Sequence, residues 1–382
     1  MKLFHVVTVP ESLFFFRGQV RFMEERGIEV HVIASSGQLL DIFSKNEGVA
    51  VHPVEMLRAI SPLRDIIAIW RICILFKHYQ PDIIHAHTPK GGLLGMLAAF
   101  FSQTPVRIYT VHGLPYVTAT GIKRTLLRLT EKISCSLAHK VFCVSHSLAK
   151  QLQDEKICSS KKIRVIHNGS INGADAIGHF NPERFNKKNV RASLGIPDDT
   201  LVIGFVGRLV KDKGISELFN AWNRLRAEKK NLHLLLVGHF EKKDAVDEHI
   251  QLQLTADSRV HMTGYVNDPA QYYAAMDVLA FPTYREGFGL VGIEAGAMEL
   301  PVVATRIPGC VDSIVDQKTG ILISPGDADE LFDAINLYLC NQELRRTHGK
   351  AGRKRVLLQF QPKEICEDLH RKYIELFKFY GL

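Results

Sequence analysis

Apolar residues recur along this chain in two alternating patterns. Short runs rich in Val, Ile and Leu, without polar alternation, stand at residues 2–9, 29–34, 49–53, 82–87, 106–111, 140–145 and 163–167. Longer amphipathic stretches lie between them, at 17–26, 63–78, 91–101 and 123–137. The theme repeats at 201–207, 233–237, 259–265, 278–282, 301–305 and 320–324, with a helical segment at 215–229. Continuously apolar strands separated by helices predict parallel sheets covered on both faces. In such sheets ligands bind beyond the carboxyl ends of the strands.

Residues 168–188 break the alternation, being rich in Gly, Asn and Pro with no period, as linkers are. Two doubly wound α/β domains are therefore expected, and the 382-residue length agrees at roughly 150 residues per domain. The domains are placed at 1–168 and 189–362, joined by a linker at 169–188, and the space between them is the default site. The hydrophobic fraction of 46% and charged fraction of 23% exclude disordered and fibrous classes. No apolar stretch reaches the roughly 20 residues of a membrane span, and the opening residues read as a buried strand rather than an export signal. Seven cysteines with no Cys-x-x-Cys spacing argue against a disulfide scaffold or a zinc module and for a reducing, cytoplasmic setting.

Charge is uneven. Residues 1–165 carry 21 Lys and Arg against 12 Asp and Glu, whereas the remainder carry 27 against 28. A basic excess confined to one half suits an anionic surface or a phosphorylated substrate. No stretch interleaves aromatics with cations as a nucleic-acid platform would, so no nucleic-acid partner is expected.

The chemistry concentrates at strand ends. Glu286-Gly287-Phe288-Gly289-Leu290-Val291 leads from the run at 278–282 into a helix that contains Glu294. Glycines at such a turn let backbone N–H groups approach a phosphate, and the helix start adds about half a positive charge. Glycines also simply make the corner, so both readings stand on them alone. The two glutamates could each hold a polyol through its hydroxyls; the plainer alternative is a helix cap and a solvated residue. Arg208, Lys211 and Lys213 follow the strand at 201–207, where cations can neutralise a pyrophosphate or merely decorate a wet loop. His112 ends the strand at 106–111, placed to act as a base or to donate to a ligand oxygen. His85 and His87 share one strand face with no acidic partner nearby, which weighs against a metal.

Together these elements resemble the retaining nucleotide-sugar glycosyltransferases of the GT-B fold, specifically glycosyltransferase family 4, over nearly the whole chain. The most specific part is the Glu286 and Glu294 pair within Pro282-Thr283-Tyr284-Arg285-Glu286-Gly287-Phe288-Gly289-Leu290. Gly207-Arg208-Leu209 with Lys213-Gly214, Gly264-Tyr265-Val266 and Thr110-Val111-His112-Gly113 support it. The segment from His85 to Gly92 and the linker Asn168-Gly169-Ser170 look like a bacterial subgroup building surface polysaccharides. Two places depart from the family: Asn172-Gly173-Ala174-Asp175 replaces Asn-Gly-Val-Asp, and Val9-Pro10-Glu11-Ser12-Leu13 replaces an N-terminal glycine-rich loop.

The resemblance implies two Rossmann-like domains facing a deep interdomain cleft, with a C-terminal helix at about 363–382 packing back on the first. It implies that Arg208 and Lys213 hold the donor pyrophosphate, Glu294 the ribose and Glu286 the donor sugar. The amides of Gly287, Phe288, Gly289, Leu290 and Val291 would cover sugar and phosphate, Val266 would meet the base, and His112 the transferred sugar. His112, Glu286, Arg208 and Lys213 are thus the catalytic set. The implied reaction is retaining and metal-independent, without a cofactor. It moves a hexose or N-acetylhexosamine from a UDP-sugar to a glycan or lipid-linked acceptor in capsule, O-antigen or related synthesis. The alternative on the same architecture is a non-hydrolysing nucleotide-sugar epimerase. An enzyme acting on a lipid-linked acceptor would sit peripherally on the inner face of the cytoplasmic membrane. Residues 121–133, with Lys123, Arg124, Arg128 and Lys132 beside the stripe Ile122, Leu126, Leu129 and Ile133, have the make-up of a basic helix on anionic lipid. The same stripe would equally serve to dock the helix on its own sheet.

Overall fold

The computed structural model describes residues 1–381, which form two units, one of Met1–Asn172 with the C-terminal helix and one of Gly173–Gln361. The first runs β1 (Lys2–Val6), α1 (Gln19–Glu24), β2 (Glu29–Ala34), α2 (Gln38–Glu47), β3 (Ala50–Pro53), α3 (Pro62–Tyr79), β4 (Ile83–His87), α4 (Pro89–Phe101), β5 (Val106–Val111), α5 (Gly121–Leu137), β6 (Lys140–Cys143), α6 (His146–Asp154) and β7 (Ile163–Val165). The second begins with α7 (Lys187–Ser193), β8 (Leu201–Val206), α8 (Ile215–Glu228), β9 (Leu232–Val237), α9 (Glu248–Ala256), β10 (Val260–Met262) and α10 (Ala270–Ala275). It continues with β11 (Val278–Phe281), α11 (Leu290–Ala297), β12 (Val302–Thr305), α12 (Cys310–Ser313), β13 (Gly320–Ile323), α13 (Ala328–Cys340) and α14 (Gln342–Gln359). The last helix, α15 (Pro362–Phe379), belongs to the first unit.

Both sheets are wholly parallel among the described residues, in the orders β3-β2-β1-β4-β5-β6-β7 and β10-β9-β8-β11-β12-β13. Each is a doubly wound Rossmann-like layer, and its order reverses between β1 and β4 or between β8 and β11. Crevices for ligands open at the carboxyl ends of strands flanking such reversals. A strand stands at each position expected from the apolar runs. Residues 173–188, expected as linker, are part of the second unit: Ala174 N–H donates to the Phe360 carbonyl at 2.9 Å, and Arg353 donates to the Phe180 carbonyl.

The helices α3, α4 and α5 follow successive crossovers from β3 to β6, and α4 packs against both of its neighbours. Right-handed crossovers put all three on one side of the sheet. The stripe of α5 points away from that sheet. The helix docks instead through Glu131, Ser134 and Cys135, leaving Ile122 and Leu129 exposed and Leu126 and Ile133 half-buried. Burial raises the Glu131 carboxyl to about 8, while the Tyr109 hydroxyl, donating at 2.9 Å, opposes the rise.

That shift has a direction in stability. Unfolded, Glu131 titrates near its ordinary 4.5; folded, it keeps its proton to about 8. Its contribution to stability is therefore whole below the unfolded value and is lost as pH rises between the two. Glu131→Gln keeps an acceptor for Tyr109 without the charge. Thermal melts should show the variant more stable than the parent at about pH 8.5, by several degrees, and equal to it at about pH 5.

Candidate functional site

In the second unit the loops after β8 and β11 meet at the strand reversal. Gly214, the N-cap of α8, has φ +70°, and a Cβ there would run into the Pro282 carbonyl, so the start of α8 lies against the end of β11. The Tyr284 N–H donates to the Asp212 carbonyl at 3.0 Å. Arg285 reaches the Asp212 carboxylate at 2.7 Å, with both side chains mostly covered. These contacts staple Lys211-Asp212-Lys213 to the Gly-rich loop.

The staple brings two sequence-predicted residues together. Lys213 Nζ donates to Glu286 Oε1, which also accepts from the Thr283 hydroxyl at 3.1 Å. Arg208 is not part of that pair: its guanidinium donates to Glu241 at 3.1 Å and is half exposed. Gly289 has φ +79° and forms the N-cap of α11, where a Cβ would press on the Phe281 ring and Ser313 Oγ. Phe288 is buried against the Phe360 ring at 5.3 Å, and Leu290 and Val291 open the helix. One turn on, Glu294 accepts from the Tyr273 hydroxyl at 2.7 Å, and burial holds its carboxyl above the usual range. Val266 packs half-buried on the core near Tyr273, while its neighbour Tyr265 stands exposed. This is a cation, two carboxylates and a helix start at one strand reversal, chemistry suited to a phosphorylated polyol.

The first unit carries a different constellation. His87 Nδ1 lies 3.0 Å from His112 Nε2, and His87 Nε2 lies 3.0 Å from His5 Nδ1. His85 is fixed by Thr110 at 2.5 Å and by the hydroxyl of Tyr373, on α15, at 2.6 Å. Phe15 stacks on the His112 ring with centroids 4.2 Å apart. The strand register explains the cluster: His5 pairs with His85 and Thr110 with His87, so these side chains share one face. Burial depresses His5 and His112 to about 3 and His85 and His87 well below their ordinary value. All four are neutral at neutral pH.

A neutral imidazole has one N–H, so His87 donates at one nitrogen and accepts at the other. The relay therefore has two registers. In one, His5 donates to His87 and His87 to His112, leaving His112 Nδ1 a donor. In the other the direction reverses, His112 Nδ1 is an acceptor, and His5 Nε2, which has no hydrogen-bond partner, carries a buried N–H. Nitrogens of His5, His85 and His87 lie within 4.8 Å of one another, as metal ligands might, but both ring nitrogens of His85 and of His87 are already hydrogen-bonded.

Sequence reasoning missed Asp212, Arg285, Tyr273, His5 and the role of His87. Asp212 sits between two lysines that drew the attention, and His5 lies within a run that reads as core. Neither the Tyr273–Glu294 bond nor the His5–His87 bond joins residues close in sequence.

The chain matches two family models, Glycosyltransferase Family 4 over residues 16–170 and Glycosyl transferases group 1 over residues 186–355. It is 37% identical to the capsular polysaccharide biosynthesis glycosyltransferase CapM of Staphylococcus aureus, over 97% of this chain and 96% of that one. It is 25% identical to the Escherichia coli UDP-Gal:alpha-D-GlcNAc-diphosphoundecaprenol alpha-1,3-galactosyltransferase, over 90% and 88% of the two chains. Among solved structures it resembles Anabaena HepE in complex with UDP-glucose, with TM-score 0.80 and 20% identity over 98% and 99% of the chains. That likeness is one of GT-B fold. The epimerase alternative draws no support from these relatives.

The buried histidines predict acid sensitivity. A depressed imidazole contributes stability that is whole above its unfolded value of 6.5 and is lost as pH falls toward the folded value of about 3. Ring nitrogen resonances of His112 in NMR should hold their neutral positions from about pH 8 to about pH 5, and stability to urea should fall across the lower part of that range. A His112 resonance that titrates near 6.5 would refute the relay as drawn.

Proposed function

This chain belongs to the family 4 glycosyltransferases, and on that premise we propose that it transfers a hexose or N-acetylhexosamine from a UDP-sugar to a lipid-linked glycan acceptor, with retention and without a metal ion. The observation that carries the reading is the Lys213–Glu286 pair at the strand reversal, next to the start of α11, with Arg208 in the same loop after β8. A departing nucleoside diphosphate develops negative charge, which fixed cations and a helix start can stabilise. Lys213 and Arg208 supply the cations. Both are matched by carboxylates in the free enzyme, so the pyrophosphate replaces Glu286 and Glu241 as their partner. Glu286, released, turns to the donor sugar hydroxyls.

Glu294, oriented by Tyr273, is assigned to the ribose. The amides of Gly287 through Val291 are assigned to the sugar and phosphate, and Val266 to the base. His112 is assigned to the transferred sugar. Its relay allows Nδ1 to present either a proton or a lone pair to a hydroxyl while staying neutral. The acceptor hydroxyl then attacks from the face the diphosphate leaves, and the leaving phosphate takes its proton. The names of HepE, bound to UDP-glucose, and of the E. coli relative, acting on a diphosphoundecaprenol-linked sugar, support the UDP donor and the lipid-linked acceptor. Among the described residues no helix is long and apolar enough to cross a membrane. A lipid-linked acceptor therefore points to peripheral work at the anionic inner face of the cytoplasmic membrane.

Two measurements test this. A charge-assisted contact is worth about 1.5–3 kcal/mol, so Arg208→Ala or Lys213→Ala should weaken UDP binding in calorimetry roughly tenfold or more. Unchanged affinity in both variants would remove the pyrophosphate assignment. Transfer should also persist in excess EDTA. Loss of transfer on chelation, with recovery on adding magnesium or manganese, would show that the cations and helix start do not suffice.

A further inference from the structure

The helix α3 leaves its most outward side apolar. Ala68, Ile72 and Phe76 face the core, and the residues opposite them, Leu63, Ile67, Trp70 and Ile74, follow steps of four, three and four along one ridge. Leu63 is 79% exposed and Trp70 63%, and Ile66, beside the ridge, is exposed as well. An apolar ridge along a helix normally marks a buried face, yet among the described residues nothing covers this one. The neighbouring α5 repeats the arrangement with Ile122, 89% exposed, and Leu129. Phe100 and Phe101 are exposed at the end of α4, between the two.

Charge selects the occupant. Exposed Arg64, Arg71 and Lys77 flank the α3 ridge, and Lys123, Arg124, Arg128 and Lys132 are exposed on α5. The acidic groups of these helices are already used: Asp65 pairs with Lys90 at 2.7 Å, and Glu131 is buried. Two copies of this face brought together would oppose like charges around their ridges, whereas anionic headgroups would complement them. Arg and Lys stems can lie along the apolar side while their heads remain at the interface, where Trp is also favoured.

We propose that the α3–α4–α5 layer is a lipid-docking surface and that α3 is the element that enters the bilayer. Leu63, Ile67, Trp70 and Ile74 lie among the upper acyl chains, and Arg64, Arg71 and Lys77 meet anionic headgroups. The proposal rests on the membrane reading above and names the residues that carry it. Its axis lying in the plane, α3 lays about 17 Å of apolar ridge, from Leu63 to Ile74, on the membrane.

The chain has two tryptophans, and Trp222 is buried, so the environmental response of the emission belongs to Trp70. The test uses vesicles of phosphatidylcholine with and without phosphatidylglycerol. The full chain should co-sediment with the anionic vesicles, and Trp70 emission should shift to the blue and be quenched by lipids brominated on the upper acyl chain. Leu63→Gln, Trp70→Gln and Ile74→Gln together should cut partitioning at least about tenfold, with the thermal midpoint unchanged because the positions are exposed. Three outcomes overturn the proposal. If the parent binds but Trp70 emission is unmoved, or the triple variant binds equally, docking is real and α3 is not its element. If the parent binds no vesicle, the membrane reading fails with it. If ultracentrifugation shows a dimer that the triple variant dissolves, the ridge is a self-association surface.

Discussion

Strands β1, β4 and β5 are buried on both faces, so any polar side chain along them must find its hydrogen bonds inside the protein. That constraint shapes the first unit. His5, His85, His87 and Thr110 occupy one face of these strands, where water is absent, and they satisfy one another in a chain that ends at His112. Removing one member leaves its neighbour buried with an open valence, so the cluster behaves as a unit. It also holds His112, just past the end of β5, in one orientation. The second unit meets the same constraint differently. Its strands β8 and β11 are apolar to their last residue, and charge begins only in the loops beyond, where Arg208, Lys213 and Glu286 lie.

The Lys213–Glu286 pair and the Arg208–Glu241 pair give this strand reversal an almost neutral face despite its cations. Under the proposed pyrophosphate assignment, an incoming diphosphate would exchange one set of anions for another, and part of the Coulombic gain would be set against broken ion pairs. Its two charges and many oxygens would then distinguish it from the carboxylates it displaces. The Asp212–Arg285 pair ties the same two loops together.

Much of this was legible in the chain, for physical reasons. A doubly buried strand must be apolar without alternation, and central strands such as β4, β8, β11 and β12 announced themselves in that way, whereas the edge strands β3, β7 and β10 are only partly buried. Several proved shorter than their apolar runs, because residues such as Thr8, Ser145 and Gly207 already turn into the loops. The helix expected at 17–26 is the shorter α1, which starts only after Gly18 at φ +69°, and a 3-10 helix over Pro10–Phe16 precedes it. Arg208, Lys213, Glu286 and Glu294 stood out as candidates because glycine-rich turns flank them. Tyr273, Asp212 and His5 did not, since each matters through a partner far away in sequence. Periodicity marked the stripe on α5 but carries no sign, and the sign is what the structure supplies: the stripe faces out, and a carboxyl faces in.

The hydroxyl of Tyr373 that fixes His85 belongs to α15, which the ribosome makes after the whole of the second unit. The second unit is continuous in sequence, so every segment of its core is present before α15 is synthesised. The first unit, by contrast, is begun before the second and gains α15 only after it. Until α15 is made, the β1–β4–β5 face lacks Ile365, Leu369 and Tyr373, and His85 lacks the partner of its Nδ1. A chain made only as far as α14 therefore has every segment of the second unit's core, while the histidine face of the first unit still lacks the hydroxyl that fixes His85 and the apolar cover that α15 brings.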